Sequence, residues 1–194
     1  MSLFVWIKCD DVNAEANGDG IITTGNGTNN ESQYGILIGR TDGKISIRWN
    51  DTDIDTSTAT LVNGRWYHVG FVRSGSTGSW TSTIYIDGVG ETPATTATNS
   101  GTQQAMEIGR RSNVEGTNSV YDGLIDDVRV YNRVLSADEI KRLYKIGATF
   151  KVNTTITNDS LKNGLVGHWT FDGKDMGGSG TTATDISGQG NHGT

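Results

Sequence analysis

The chain holds a single cysteine, Cys9, among 194 residues. One thiol excludes an internal disulfide framework and any cysteine-based zinc site. Its setting in "VWIKCDD" reads as a buried or strand-end position, where a free cysteine behaves as a small hydrophobe, so redox chemistry has no support. Cationic residues are also few: 16 Lys and Arg stand against 22 Asp and Glu, the net charge is −6, and no basic block exists. Such a chain does not neutralise a phosphate backbone or hold an anionic membrane surface, which sets nucleic acid aside as a partner. No stretch approaches the roughly 18 apolar residues of a membrane span, so no membrane insertion is expected. No strand carries the Glu-x-Asp-x-x-Glu kind of spacing that would flank a scissile sugar bond. The three histidines, His68, His168 and His192, stand beside strand or turn residues without a nucleophile at a recognisable elbow. No catalytic residue is assigned.

Short apolar runs separated by Thr, Ser, Gly and Asn predict a β-sandwich with long loops. The runs are "FVWIK", "GIITTG", "YGILIGR", "KISIRW", "WYHVGFVRS", "STIYIDG", "AMEIGR" and "LIDDVRVYN". In "KISIRW", Ile45, Ile47 and Trp49 share one face and Ser46 and Arg48 the other, the alternation of a half-buried strand. Asp87-Gly88 and the "TDGK" stretch are hairpin signals, because these residues tolerate positive φ. One helix is expected in "LSADEIKRLYKIG": Ser136 and Glu139 form a capping box, Ile140, Leu143 and Tyr144 fall on one stripe, and Gly147 closes the end. Residues 148–163 are polar, Thr-rich and poorly patterned, so they read as a linker. "GLVGHWTFDG" then starts a new buried strand.

The run "GRWYHVGFV", "STIYIDG", "MEIGRR" and "YDGLIDDVRVYNRVLSADEIKRLY" resembles the laminin-G-like group of the concanavalin-A-like lectin and glucanase jelly rolls, of the non-catalytic bacterial type. In that family "GLVGHWTFD" followed by "DISGQGNHGT" opens the domain; here it comes last. The resemblance implies an all-β, antiparallel two-sheet jelly roll with one short helix. It further implies that 1–147 lacks its first strand and that 164–194, beyond the 148–163 linker, supplies a first-strand segment. That segment is expected to dock on 1–147 in the same chain, or to swap into a neighbour as a dimer. Tandem repeats and circular permutation both give this order.

Several constellations have weaker claims. "GQGNHG" spells G-x-G-x-x-G, but no helix follows and no acidic residue lies twenty positions on, so its glycines read as turn residues. Asp51, Asp53 and Asp55 have EF-hand spacing, yet Thr56 stands where Gly is needed and Val62 where a bidentate Glu belongs; a solvated acidic loop is expected, with loose calcium binding as the other reading. In "LIDDVRVY", Val128 and Val130 mark the inner face, which places Asp126 inward, where a charge needs backbone donors, a cation or a basic partner. The family resemblance implies a structural calcium ion held by Asp126, Asp185 and Asn191; hydrogen bonding to loop amides is the other reading.

Trp6, Trp66 and Trp169 sit in strand landmarks and are expected in the core, with Trp49 there by alternation; His68 in "WYHVGFV" reads as a hydrogen-bonded structural histidine. Trp80, in "SGSTGSWTST", lies in a Gly/Ser loop or at a strand start; it either folds back on the sandwich, as large aromatics usually do, or is the candidate stacking platform for a sugar ring. The loop "RRSNVEGTNSVYDG" adds Arg111, Asn113 and Tyr121 as candidate hydroxyl-binding side chains. The expected function is a non-catalytic carbohydrate-binding or adhesion module of a larger secreted or cell-surface protein, with a glycan or a cell-surface protein as partner and its export signal outside these residues. A structural spacer or protein-interaction repeat is the rival, and a degenerate glycoside hydrolase the third reading.

Overall fold

The computed structural model describes residues 1–12, 19–24, 34–38, 43–49, 52–76, 79–91, 94–96, 106–114, 117–148, 160–177 and 182–193. The strands are, in chain order, β1 (Ser2–Cys9), β2 (Asp19–Thr24), β3 (Tyr34–Ile38), β4 (Lys44–Trp49), β5 (Thr52–Thr60), β6 (Trp66–Ser76) and β7 (Ser79–Ile86). They continue with β8 (Val89–Gly90), β9 (Ala94–Thr96), β10 (Met106–Ile108), β11 (Arg110–Val114), β12 (Thr117–Val120), β13 (Gly123–Tyr131) and β14 (Leu165–Trp169). One α-helix, α1 (Ala137–Ala148), lies between β13 and β14.

Two seven-stranded sheets form a sandwich. One runs β14-β13-β1-β6-β7-β8 with β9 also on β7, and the other β11-β12-β2-β3-β4-β5 with β10 also on β2. Among the described residues pairing is antiparallel except for one parallel bridge from Val120 to Gly20. Every strand expected from apolar patterning is present. Two expectations are corrected: "TDIDTSTAT", read as an acidic loop, is strand β5, and "RRSNVEGTNSVYDG" holds the β11–β12 hairpin. Both are sheet edges rich in Thr, Ser or Asn, where β-branched residues pair without an apolar alternation to announce them.

Period-two alternation explains both sides of the first sheet. Leu3, Val5, Ile7 and Cys9 of β1 join Tyr67, Val69 and Phe71 of β6 in the main core, against Ile36, Ile38, Ile45 and Ile47 of the second sheet. Each such side chain contributes about 1.5–3 kcal/mol through apolar burial. The even residues point outward, where Phe4 and Val72 meet Tyr131, Leu135, Ile140, Leu143 and Leu161 in a second core under α1.

The capping box forms: the Ser136 N–H donates to Glu139 Oε2 at 2.9 Å and the Glu139 N–H to Ser136 Oγ at 3.3 Å. Arg133 grips Glu139 at 2.7 Å and holds its carboxyl down at about 2. Gly147 is not the end of the helix, which runs on to Ala148. It is glycine because Trp6 lies beneath: a Cβ there would come 2.0 Å from Trp6 Nε1.

The C-terminal segment completes the first sheet. β14 pairs with β13, Trp169 enters the main core, and the Asn132 N–H donates to Gly164 O. Of the expected linker, 149–159 lie outside the described residues.

Candidate functional site

The outer part of β13 is built around a bulge. Phe4 faces Arg129 and Trp6 faces Asp126, so β13 carries one more residue than β1 there, and Asp127 takes a φ of 49°. This overturns the expected inward position of Asp126. The extra residue shifts the alternation, so Ile125 packs on the main core, while Asp126 lies opposite Trp6 on the outer face. The bulge presents Asp127 to Arg129, whose Nε and Nη2 donate to its two oxygens at 3.0 Å, and to His168 Nε2 at 2.5 Å. Burial alone would raise the Asp127 pKa. The hydrogen bond with His168 and the Arg129 charge outweigh it and hold the carboxyl well below the usual range.

His168 also connects to the "DISGQGNHG" turn. Its backbone N–H donates to Asp185 Oδ1, which takes the Ser187 N–H as well, and Asp185 Oδ2 takes the Asn191 N–H, all at 2.9 Å. The Asn191 Nδ2 donates to Val166 O at 2.7 Å, the Ile186 N–H to His168 O at 2.9 Å, and Trp169 Nε1 to Asn191 O at 3.0 Å. The turn therefore caps the outer edge of β14, which would otherwise expose unpaired backbone groups. Asp185 is only 5% exposed; burial pushes its pKa up, and hydrogen bonding to the Ser187 side chain, together with the His168, Ser187 and Asn191 amides, more than reverses that.

Asp126, Asp185 and Asn191 do not form one ligand set for calcium. The Asp185 oxygens are already engaged by amides, the Asn191 amide donates inward, and Asp126 sits on another strand facing Trp6. Among the described residues no group of three or more His, Cys, Asp or Glu side chains could hold a metal ion. The residues present fit backbone amides rather than a cation.

Of the expected sugar-binding side chains, those of Trp80 and Tyr121 are described. Trp80 is in β7, opposite Gly75 and Thr96, half-buried, with the Arg73 guanidinium 4.3 Å from its ring centroid. Tyr121 is 7% exposed and its hydroxyl meets Cys9 Sγ at 3.1 Å, so it is a core residue and not a surface contact. Burial pushes the Cys9 thiol up to about 11, which makes it inert. Arg111 and Asn113 fall on β11, and their side chains, like those of Trp49, Asp51 and Asp53, lie outside the described residues.

Trp66, expected in the core, is 39% exposed. It is the first residue of β6 and has even parity with His68, so its indole faces outward beyond the end of α1. The alternation within "WYHVGFV" carried that signal, since Tyr67 and Val69 mark the inner face.

Residues 1–141 match the family model described as the concanavalin A-like lectin/glucanases superfamily. The chain belongs to this superfamily. Its fold is shared with a protein of Bacteroides ovatus put forward as a carbohydrate binding protein, at 18% identity and a TM-score of 0.69 over 98% of this chain and 50% of the other. The chain thus spans about half the length of that protein. Domain 4 of AbnA, an extracellular arabinanase from Geobacillus stearothermophilus solved with arabinotriose, is 17% identical at a TM-score of 0.56, over 74% of this chain and 65% of its own. Trypanosoma rangeli sialidase in complex with sialic acid is 16% identical at 0.57, over 78% of this chain and 24% of its own. No curated protein sequence matches the chain.

Within this superfamily member one further carboxylate is perturbed. Burial, against a backbone hydrogen bond from Thr56 and with help from the Glu91 charge, pushes Asp55 up to about 6. It stands opposite Ile47 and so faces the sandwich interior. Glu91 accepts the Thr58 and Ala59 amides through its two oxygens at 2.7 and 3.1 Å. It caps the β5 edge much as Asp185 caps β14.

Proposed function

We propose that the chain is a non-catalytic carbohydrate-binding module carried in a larger exported protein. The observation that carries this reading is its membership of the lectin/glucanase superfamily, with a B. ovatus neighbour put forward as carbohydrate binding that follows the fold over 98% of the chain. The deployment of the carboxylates supports a binding role over hydrolysis: Asp127, Asp185, Glu91 and Glu139 each fix an edge, a bulge or a helix start. On this reading 1–147 and 164–194 make one functional unit, a rearranged order arising from a tandem array or a permuted gene, and exchange of 164–194 between two copies would give a dimer with the same contacts.

A glycan array probed with the whole chain tests the proposal. Binding to one or more glycans is expected, and no hydrolysis of a polysaccharide panel. Failure to bind any glycan would leave a spacer or protein-interaction repeat as the better reading, and release of reducing sugar would return the hydrolase.

A further inference from the structure

We infer that a neutral glycan binds the outer face of the first sheet on the rung formed by Leu124, Lys8 and Trp66, with the Trp66 indole as platform for a pyranose ring; this rests on the carbohydrate-binding reading above. Lys8 is the register partner of Trp66 on β6 and of Leu124 on β13, so the three side chains share a face. The next rung, Asp126, Trp6 and His68, is roofed by α1: Tyr144 stacks on Trp6 with ring centroids 5.7 Å apart, and Gly147 passes directly over it. The helix ends at Ala148. Beyond it Trp66 stays 39% and Leu124 52% exposed, on either side of the Lys8 stem.

Side chains this large and apolar are informative when they face water together. An indole presents a flat, apolar, electron-rich face that accepts the C–H face of a sugar ring while its edge stays wet. Polar groups that pair with hydroxyls stand beside it: the Lys8 ammonium, and the exposed carboxylates Asp10 and Asp122, whose strand ends are tied by the Asp10 N–H donating to Asp122 O at 3.0 Å. The charge balance selects the ligand class. The exposed carboxylates Asp10 and Asp122 flank the Lys8 ammonium on a chain of net charge −6, so a uronic or sialic acid would be repelled and a neutral sugar would not. Trp80 is the poorer platform, because Arg73 already lies over its ring.

The test is titration of the wild-type chain, Trp66→Ala, Leu124→Arg and Trp80→Ala with neutral and acidic glycans on one array, after thermal melts establish that each variant folds. Expected are wild-type binding to neutral glycans, a loss of about tenfold or more in Trp66→Ala and Leu124→Arg, and a change within about twofold in Trp80→Ala. Wild-type affinity in both outer-face variants would overturn the site while leaving the module reading intact. A preference for acidic glycans would overturn the charge selection, and absence of wild-type binding would overturn site and module together.

Discussion

Replacing His68 with Phe should flatten the pH dependence of stability. His68 is 2% exposed, stacks on Phe4 with ring centroids 5.3 Å apart and planes 11° from parallel, and touches Trp6 and Tyr144. Its Nδ1 has no hydrogen-bond partner among the described residues. Burial is the main reason its pKa falls to about 4 from the ordinary 6.5; Asp127 pulls it back up and Arg129 pushes it down again. As pH falls from 6.5 to 4 the unfolded chain takes up a proton that the folded chain does not, so stability present at neutral pH is lost across that window. A displacement of this size corresponds to about 3 kcal/mol. For a domain of this length that is roughly 6–12 °C in melting temperature. Asp55 runs the other way, since a carboxyl raised to about 6 gives stability as pH falls toward 4, but it is common to both proteins and drops out of their difference. Urea unfolding of wild type and His68→Phe at pH 7 and pH 4 should show the variant within about 1 kcal/mol of wild type at pH 7 and about 3 kcal/mol ahead, relative to that baseline, at pH 4. Parallel pH profiles would refute the buried, neutral histidine.

Asp185→Ala leaves the amides of His168, Ser187 and Asn191 without their carboxylate and should cost about 3 kcal/mol in urea unfolding at pH 7. Because the Asp185 pKa is lowered, that cost should shrink as acid protonates the wild-type carboxyl. Asp55→Asn removes a charge that the interior disfavours, so it should raise stability by about 1 kcal/mol at pH 7, an advantage that fades below pH 6. Calcium and EDTA should give the same melting temperature within about 1 °C, because the Asp185 turn is held by amides; a calcium-dependent rise of several degrees would restore the ion.

The sandwich was legible where one face is apolar and the other polar, as in "KISIRW" and "WYHVGFV", because burial imposes a period of two. It was not legible in β5 or the β11–β12 hairpin, whose Thr, Ser and Asn serve an edge as readily as a loop. The capping box of α1 was readable because Ser136 and Glu139 interact locally. Asp126 was misplaced because one residue in the left-handed region, Asp127, moves every preceding side chain of β13 to the other face, and nothing local in "LIDDVRVY" marks it. The outward facing of Trp66 was legible in the alternation of "WYHVGFV", whereas its exposure there depends on where α1 ends, a tertiary fact. The recurrence of a patterned strand in "GLVGHWTFDG" did announce that the C-terminal segment has to pack on something, and its partner is β13.

Native-state hydrogen exchange tests this closure most directly. If 164–194 belongs to the sandwich, the amides of His168 and Asn191, both held by Asp185, will be protected to within about 1–2 kcal/mol of the β1 and β13 amides. Exchange of His168 and Asn191 at the rates of an unstructured peptide, while β1 remains protected, would contradict it.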